Sequence, residues 1–280
     1  MKKKRALPVK GLKYFFLIFP LCSFCILNFS CGLDVYYYLT EPACYDVKQY
    51  TNTDPLEDCF LFKTAESSNY DSSSSSAFKF SGTQIYYKIY NSYSTMVSRE
   101  NTISSLLTST TASATAAKDQ LDSWGYKTLK FSNKVNTPDP IVKSSGSGTD
   151  QWVYLRLVNS ADSDDYQACL CVSSSTMEKC ESDKAQKDAA GNVLPPLRNI
   201  MDSSNTEYLS FNFGGEGDYD ATPSSSDADV YYSTTSQANT WYLDLYAVST
   251  GWDTATYDDY YSKPVFLGSM TIEEGAYSSK

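Results

Sequence analysis

Apolar and polar residues alternate with a period of two through much of the chain, which predicts half-buried β-strands. The alternation is clearest in residues 151–158, 207–213 and 240–248, each with one apolar face. Residues 78–80 and 85–90 flank a short segment that contains Gly82, and together they predict a β-hairpin. Weaker strands are predicted at residues 35–39, 128–132, 168–172, 230–233 and 264–272.

One segment follows helical spacing instead. Apolar residues recur every three or four positions from Ile103 to Trp124, and Gly125 is a suitable residue to end the helix. Ser98 is predicted to cap its start, although the Ser- and Thr-rich residues 104–115 lower the helix propensity. We therefore expect one amphipathic helix across a face or an end of the sheets.

These patterns predict a mainly β protein. About ten strands, broken by Ser, Gly, Asp and Pro loops, are typical of an antiparallel β-sandwich that is immunoglobulin-like in texture. The expected organisation is a leader at residues 1–30, an N-terminal segment at 31–77 with a first strand and a Ser-rich loop, and a β-sandwich body at 78–280. One elaborated sandwich and two abutting sandwiches split near residues 142–149 both fit the pattern.

The first thirty residues have the organisation of a secretory signal peptide. Six Lys and Arg residues precede an apolar run at residues 14–27, and the first acidic residue is Asp34. This run is shorter than the ~20 apolar residues that a transmembrane helix requires. An uncleaved anchor and an ordinary secreted protein are the alternatives to a cleaved leader.

Cleavage is predicted between Ser30 and Cys31. Leu27, Asn28, Phe29 and Ser30 before Cys31 form a relaxed version of the bacterial lipoprotein signal. A diacylglycerol thioether on Cys31, with palmitate-like acyl chains, would tether the body without a spanning helix, because two chains hold firmly where one does not. The predicted partner of Cys31 is therefore a lipid bilayer.

Charge and composition exclude several functions. Residues 1–30 hold six of the 23 basic residues and none of the 33 acidic ones, so the chain from Cys31 onward has 17 basic residues and a net charge of −16. Such a surface repels nucleic acid, which is bound through Lys and Arg. The chain has no His, which excludes Ser–His and Cys–His catalytic pairs.

No motif predicts an enzyme or a cofactor. The sequence lacks a phosphate-binding loop, a dinucleotide fingerprint and a G-x-S-x-G turn. Its many carboxylates leave only a weak case for a carboxylate-dependent hydrolase. We therefore expect a protein that is not an enzyme and carries no cofactor.

Three sets of residues are candidate sites. Trp152, Tyr154, Tyr242 and Tyr246 would form an aromatic ligand platform if their strands were neighbours, with ordinary cross-strand packing as the alternative. Asp218, Asp220, Asp227 and Asp229 share one acidic loop and are weak Ca²⁺ candidates, with a solvated loop as the alternative.

The third set is the cysteines. Export permits disulfides, and Cys44 with Cys59, and Cys169 with Cys180 across a polar turn, are candidate pairs. The pairing cannot be fixed from the sequence.

The start of the chain after the leader, CGLDVYYYLTEP, and the segment FKFSGTQIYYKIYNS at residues 78–92 resemble uncharacterised spirochaete (treponeme-type) envelope lipoproteins. The resemblance covers the leader and about the first sixty residues after it. It implies an envelope lipoprotein of unassigned activity and supplies no catalytic residue.

The sequence as a whole predicts a lipoprotein in the bacterial cell envelope, anchored to the inner or outer membrane and outside the cytoplasm. Its expected role is to bind or interact with an unknown protein or glycan partner. A structural envelope lipoprotein without a ligand and, less favoured, a hydrolase are the alternatives.

Overall fold

The computed structural model describes residues 38–45, 48–51, 59–73, 77–131, 140–159, 167–175, 184–214, 222–236 and 240–274. Residues 38–280 form one compact unit. The leader, Cys31, Cys180, Asp218 and Asp220 lie outside the described residues, as do residues 35–37 of the predicted first strand.

The described chain contains short N-terminal strands, two long strands and three helices. In chain order the elements are β1 (Ala43–Cys44), β2 (Lys48–Thr51), β3 (Phe60–Lys63), α1 (Glu66–Asn69), β4 (Phe78–Tyr90), α2 (Tyr93–Thr108), α3 (Ala116–Ser123), β5 (Lys127–Thr128), β6 (Val142–Lys143), β7 (Trp152–Arg156), β8 (Cys169–Ser173), β9 (Val230–Tyr231), β10 (Thr240–Asp253), β11 (Asp259–Tyr261) and β12 (Val265–Glu273). The predicted mainly β class is confirmed.

A large sheet is built around the two longest strands. β4 and β10 pair antiparallel from Tyr90 opposite Tyr242 to Phe78 opposite Asp253. The strand order is β2-β12-β10-β4-β5, and β11 joins β10 while β6 and β9 join β4. β2 runs parallel to β12, and β9 runs parallel to β4.

A smaller antiparallel sheet has the order β1-β3-β7-β8. Its inner face presents Phe60 and Phe62 from β3 and Val153 and Leu155 from β7 to the large sheet. These side chains share one hydrophobic core with residues of β4 and β10, including Ile85 and Leu243. The two sheets therefore pack face to face as a sandwich, and residues on both sides of 142–149 contribute to the same core.

The predicted hairpin at residues 78–90 is wrong. This segment is a single 13-residue strand, β4, and Gly82 lies at an irregularity in its pairing with β10. The φ angle of Gly82 is +141°, and a Cβ atom there would lie 2.1 Å from the carbonyl oxygen of Val142. The glycine thus permits the close antiparallel pairing of β4 with β6 and does not form a turn.

The single predicted helix is divided in two. Its start is at Tyr93, with the Ser92 hydroxyl accepting a hydrogen bond from the Thr95 amide, so Ser98 is not the cap. The first helix ends at Thr108, and the second begins at Ala116. The intervening residues 109–115 belong to the predicted Ser- and Thr-rich run, whose hydroxyls here bond to nearby backbone and side chains.

Other differences are confined to short segments. Residues 207–213 contain only an isolated bridge at Tyr208, although Phe211 and Phe213 are buried in the core. Strands β1, β2, β3, β6 and β11 were not predicted from the sequence. No helix in the described part of the chain is both long and apolar enough to cross a membrane.

Candidate functional site

The outer face of the large sheet carries an unusual set of tyrosine and charged side chains beneath α2 and α3. Alternation along β4 sends Ile85, Tyr87 and Ile89 into the core, so Tyr86, Lys88 and Tyr90 point the other way. Across the sheet these three pair with Tyr246, Asp244 and Tyr242 of β10, respectively. We call this surface, formed by Tyr86, Lys88, Tyr90, Tyr242, Asp244 and Tyr246, the tyrosine face.

Asp244 is the acid of the tyrosine face and is fully buried, with 0% exposure. Its Oδ2 atom accepts a hydrogen bond of 2.5 Å from the Tyr126 hydroxyl, which lies 2.7 Å from the Tyr90 hydroxyl. Its Oδ1 atom has no hydrogen-bond partner among the described residues. Burial raises the pKa of Asp244 well above its ordinary value, so the carboxyl group favours its protonated form.

Two neighbouring residues of α2 add charge above this carboxyl. The Arg99 guanidinium lies over the rings of Tyr90, Trp124 and Tyr231, at 5.6, 4.8 and 4.4 Å from their centroids. Burial raises the pKa of Glu100. Like Asp244, both residues keep one buried polar atom, Nη1 of Arg99 and Oε1 of Glu100, without a hydrogen-bond partner in the described ranges.

Lys88 connects the tyrosine face to two loops. Its Nζ donates hydrogen bonds to the carbonyl oxygens of Gly125, at 3.1 Å, and Ala228, at 3.2 Å. Burial lowers the pKa of Lys88 to about 8. The amine therefore holds the end of α3 and the loop before β9 against the sheet.

An open cleft of about 220 Å³ adjoins the tyrosine face at Tyr86. Strands β4, β5, β10 and β11 and the loop before β6 supply its walls, which are Ser81, Gln84, Tyr86, Thr128, Pro140, Thr250, Gly251, Asp259 and Tyr261. The Lys118 amine of α3 lies 5.1 Å from the ring centroid of Tyr86 and 4.3 Å from that of Tyr261. The cleft thus combines aromatic surface with amide, hydroxyl and carboxylate groups.

This combination suits binding of a small polar ring. The cleft is smaller than the roughly 300–1,000 Å³ pockets that hold drug-sized ligands. Aromatic surface can cover the apolar face of such a ligand while polar groups fix its orientation. Asp244 is sealed beneath the helices and is therefore separate from the open part of the cleft.

The predicted aromatic platform does not form. Trp152 and Tyr154 lie on β7, which pairs with β3 and β8, whereas Tyr242 and Tyr246 lie on β10 in the other sheet. Because both pairs point away from the shared core, they occupy opposite outer faces of the sandwich. Tyr154 and Tyr246 are also almost fully buried, at 6% and 1% exposure.

The two described Ca²⁺ candidates have a different role. Asp229 binds the buried Arg198 through both carboxylate oxygens, at 2.9 and 2.8 Å, and Asp227 binds it at 2.7 Å. The Tyr87 hydroxyl donates to Asp229 at 2.7 Å. These carboxylates therefore neutralise an arginine, and the described residues contain no group of three or more potential ligands placed to hold a metal ion.

The predicted disulfide pairs differ from the structure. Cys171 is disulfide-bonded, whereas Cys44, Cys59 and Cys169 are thiols. Cys44 lies opposite Phe62 on the neighbouring strand. Phe62 is three residues after Cys59, which on an extended strand corresponds to about 10 Å between their Cα atoms. Cys44 and Cys59 are therefore offset along the strands by more than the roughly 4–7 Å between the Cα atoms of a disulfide.

The residues that organise the site were not predicted from the sequence. Lys88 and Asp244 lie at polar positions of predicted strands. Such positions predict side chains that face solvent, but in the structure α2 and α3 cover them. Arg198 lies outside every predicted strand and helix. The sequence did contain one indication that this face is covered. The tyrosines at positions 86, 90, 242 and 246 share the face with Lys88 and Asp244, and so many aromatic side chains on one face indicate a buried surface.

Comparison of the chain with protein-family models, curated proteins and solved structures gives no significant match.

Proposed function

We propose that this protein is a lipid-anchored lipoprotein of the bacterial envelope whose β-sandwich body binds a small polar ligand, with a glycan residue as the favoured class. The proposal has two parts, an anchor and a binding site. Each part rests on a different observation and has its own test.

The anchor rests on the order of segments along the chain. A basic and apolar leader precedes Cys31, and the described part of the compact unit starts at Tyr38, with Leu39 already buried at 2% exposure. A lipidated cysteine there would hold an acidic, folded body next to the bilayer. The predicted envelope location follows from the same leader.

The binding role rests on the cleft beside Tyr86. Tyr261 is 37% exposed at its edge, and Asp259 lies on the same short strand, β11. Neighbouring side chains provide ring surface, amide and hydroxyl groups. Carboxylate and amide groups beside an aromatic ring match the hydroxyl groups and apolar face of a sugar ring.

Metabolic labelling with an alkyne-bearing fatty acid tests the anchor. We expect the wild-type protein and the Cys44→Ser variant to be labelled, and the Cys31→Ser variant to lose the label. The Cys25→Ser variant, which changes a leader cysteine, should keep it. Label that persists in Cys31→Ser would overturn the anchor.

A glycan array followed by titration of the strongest hit tests the binding site. Tyr261→Ala and Asp259→Asn should each weaken binding roughly tenfold, the equivalent of about 1.4 kcal/mol. Tyr257→Ala is the matched control because Tyr257 is 76% exposed but does not line the cleft. An array without a hit, or equal binding by all variants, would favour a structural lipoprotein without a ligand.

A further inference from the structure

A second exposed aromatic cluster lies on the outer face of the small sheet, close in sequence to Cys31. Tyr45 follows β1, is 65% exposed, and packs on the Trp152 ring with 5.3 Å between centroids. The Lys63 amine lies 5.9 Å from the same Trp152 ring. Tyr38, where the described chain begins, is also 65% exposed. We call Tyr45, Lys63 and Trp152 the aromatic patch.

Strand pairing brings the three residues of the aromatic patch together. Ala43 of β1 lies opposite Lys63 of β3, and Lys63 lies opposite Trp152 of β7. The alternate side chains Phe60 and Phe62 fill the core, so the Lys63 side chain points outward. Tyr45, Lys63 and Trp152 thus cross three neighbouring strands on the same outer surface.

A clamp fixes the point where the N-terminal segment leaves the body. The Thr40 amide donates to the Asn69 side chain at 2.8 Å, and the Asn69 amide group donates back to the Thr40 carbonyl at 2.8 Å. Leu39 is buried beside this clamp. Tyr38 therefore marks the place where a tether from Cys31 meets the folded body.

The tether is short. Tyr38 is seven residues after Cys31, and seven extended residues span at most about 25 Å. The tether itself contains Leu33, Val35, Tyr36 and Tyr37. With a lipid on Cys31, the region around Tyr38 cannot move farther than this from the bilayer surface.

We infer that the aromatic patch rests on the headgroup layer of the membrane that holds the anchor, an inference that depends on the proposed lipidation of Cys31. Tyr and Trp rings favour the membrane–water interface because one end is apolar and the other forms hydrogen bonds. The Lys63 amine lies 5.9 Å from the Trp152 ring centroid and 3.4 Å from the Asp150 carboxylate, and as a partly exposed cation it adds a hydrogen-bond donor for headgroup oxygens. The aromatic patch thus orients the folded body relative to the bilayer. The net charge of −16 on the chain from Cys31 onward provides no attraction to anionic lipid that could do so.

Tryptophan quenching in vesicles tests this contact. The full-length lipidated protein is reconstituted in phosphatidylcholine vesicles with and without brominated acyl chains, after flotation confirms that it is bound. We expect brominated lipid to quench part of the fluorescence, and Trp152→Phe to lose that quenched part. Trp252→Phe is the matched control, because Trp252 also lies under an exposed tyrosine, Tyr257, at 5.8 Å, and it should keep the quenched part.

The outcomes separate the two proposals. Protein that floats with vesicles but shows no quenching, or quenching that survives Trp152→Phe, overturns the aromatic contact and leaves the anchor standing. Quenching lost equally in both variants also overturns it. Protein that does not float overturns the lipid anchor and the contact together. Tyr45→Ser, which removes only an exposed ring, should reduce the quenching of Trp152 while the circular dichroism spectrum stays unchanged.

Discussion

The Tyr126 hydroxyl donates a 2.5 Å hydrogen bond to the carboxyl group of Asp244, a residue on the central strand β10 with no exposed surface. This bond joins the segment after α3 to the middle of the large sheet. The acid faces Lys88 across the sheet and is surrounded by Tyr90, Tyr246, Arg99 and Glu100. Its burial leads to the first prediction.

Asp244→Asn should remove a pH dependence from the free energy of unfolding. Because burial raises the pKa of Asp244 in the folded protein, the folded state binds the proton more tightly than the unfolded state. The stabilisation from the neutral acid is complete below about pH 4 and is lost as pH rises through the folded-state pKa, by up to about 1.4 kcal/mol per pH unit. Urea unfolding at about pH 5 and pH 8 should show Asp244→Asn gaining stability relative to wild type at the higher pH.

The control is Asp258→Asn, which changes an exposed carboxyl on the turn between β10 and β11. It should follow the wild-type pH profile. Parallel profiles for Asp244→Asn and wild type would show that Asp244 has the same proton affinity in both states, contrary to its burial.

Arg198→Met should be strongly destabilising. Arg198 and Asp229 are both fully buried and share two hydrogen bonds, so the variant leaves a buried carboxylate without its cation. The expected loss in free energy of unfolding is about 3–5 kcal/mol, measured by urea denaturation. Adding Asp229→Asn to Arg198→Met should recover part of that loss.

Lys63→Met is a suitable comparison because the Lys63–Asp150 pair, at 3.4 Å, is partly exposed. It should cost no more than about 1 kcal/mol. Equal effects of the two substitutions would mean that the Arg198 cluster is not a buried ion-pair network.

Gly82→Ala should disrupt the pairing of β4 with β6. The new Cβ atom would lie 2.1 Å from the Val142 carbonyl oxygen and 2.8 Å from Pro140 Cγ, at a φ of +141°. Backbone strain and steric overlap together should cost roughly 2–6 kcal/mol. A thermal unfolding series measures the loss.

Gly146→Ala tests whether a positive φ alone accounts for that effect. Gly146 has a φ of +69°, but no atom lies within 4 Å of its added Cβ. The expected cost is about 1–2 kcal/mol. If Gly82→Ala lowers the free energy of unfolding no more than Gly146→Ala does, the close approach of Gly82 to β6 does not contribute to the loss.

Alkylation without reductant should distinguish the cysteines of β8. In denaturant, an alkylating reagent should modify Cys169 and Cys59 but leave Cys171 intact until the disulfide is reduced. In the folded protein Cys169 should react slowly, because burial and the nearby Cys59 raise its pKa to about 12 and the thiolate is the reactive form. Peptide mapping that finds Cys169 in a disulfide would contradict the assignment.

Periodicity predicted the fold class well because most long strands are covered on at least one face. In the strands at 152–156 and 240–253, alternate side chains point into the shared core and the others join outer clusters, as the alternation predicted. Alternation failed at Gly82, since a glycine in a strand and a glycine in a turn look the same locally. It also failed for β3, whose sequence FLFK is too short and continuous to show a period.

The candidate site was less predictable, because it depends on which strands become neighbours. Alternation correctly predicted that Trp152 and Tyr242 lie on strands. It did not predict that these strands belong to separate sheets. The pairing of Lys88 with Asp244 depends on the register between β4 and β10. The two residues are more than 150 positions apart in sequence, so local patterns do not predict that register. The charge cluster around Arg198 likewise joins a loop, β4 and the segment before β9.

The intact mass of the protein extracted from its native membrane decides whether Cys31 carries a lipid. We expect a chain that begins at Cys31 and exceeds the mass of residues 31–280 by at least one diacylglycerol group. A chain that begins at Met1, or one that begins at residue 31 with an unmodified thiol, would contradict it.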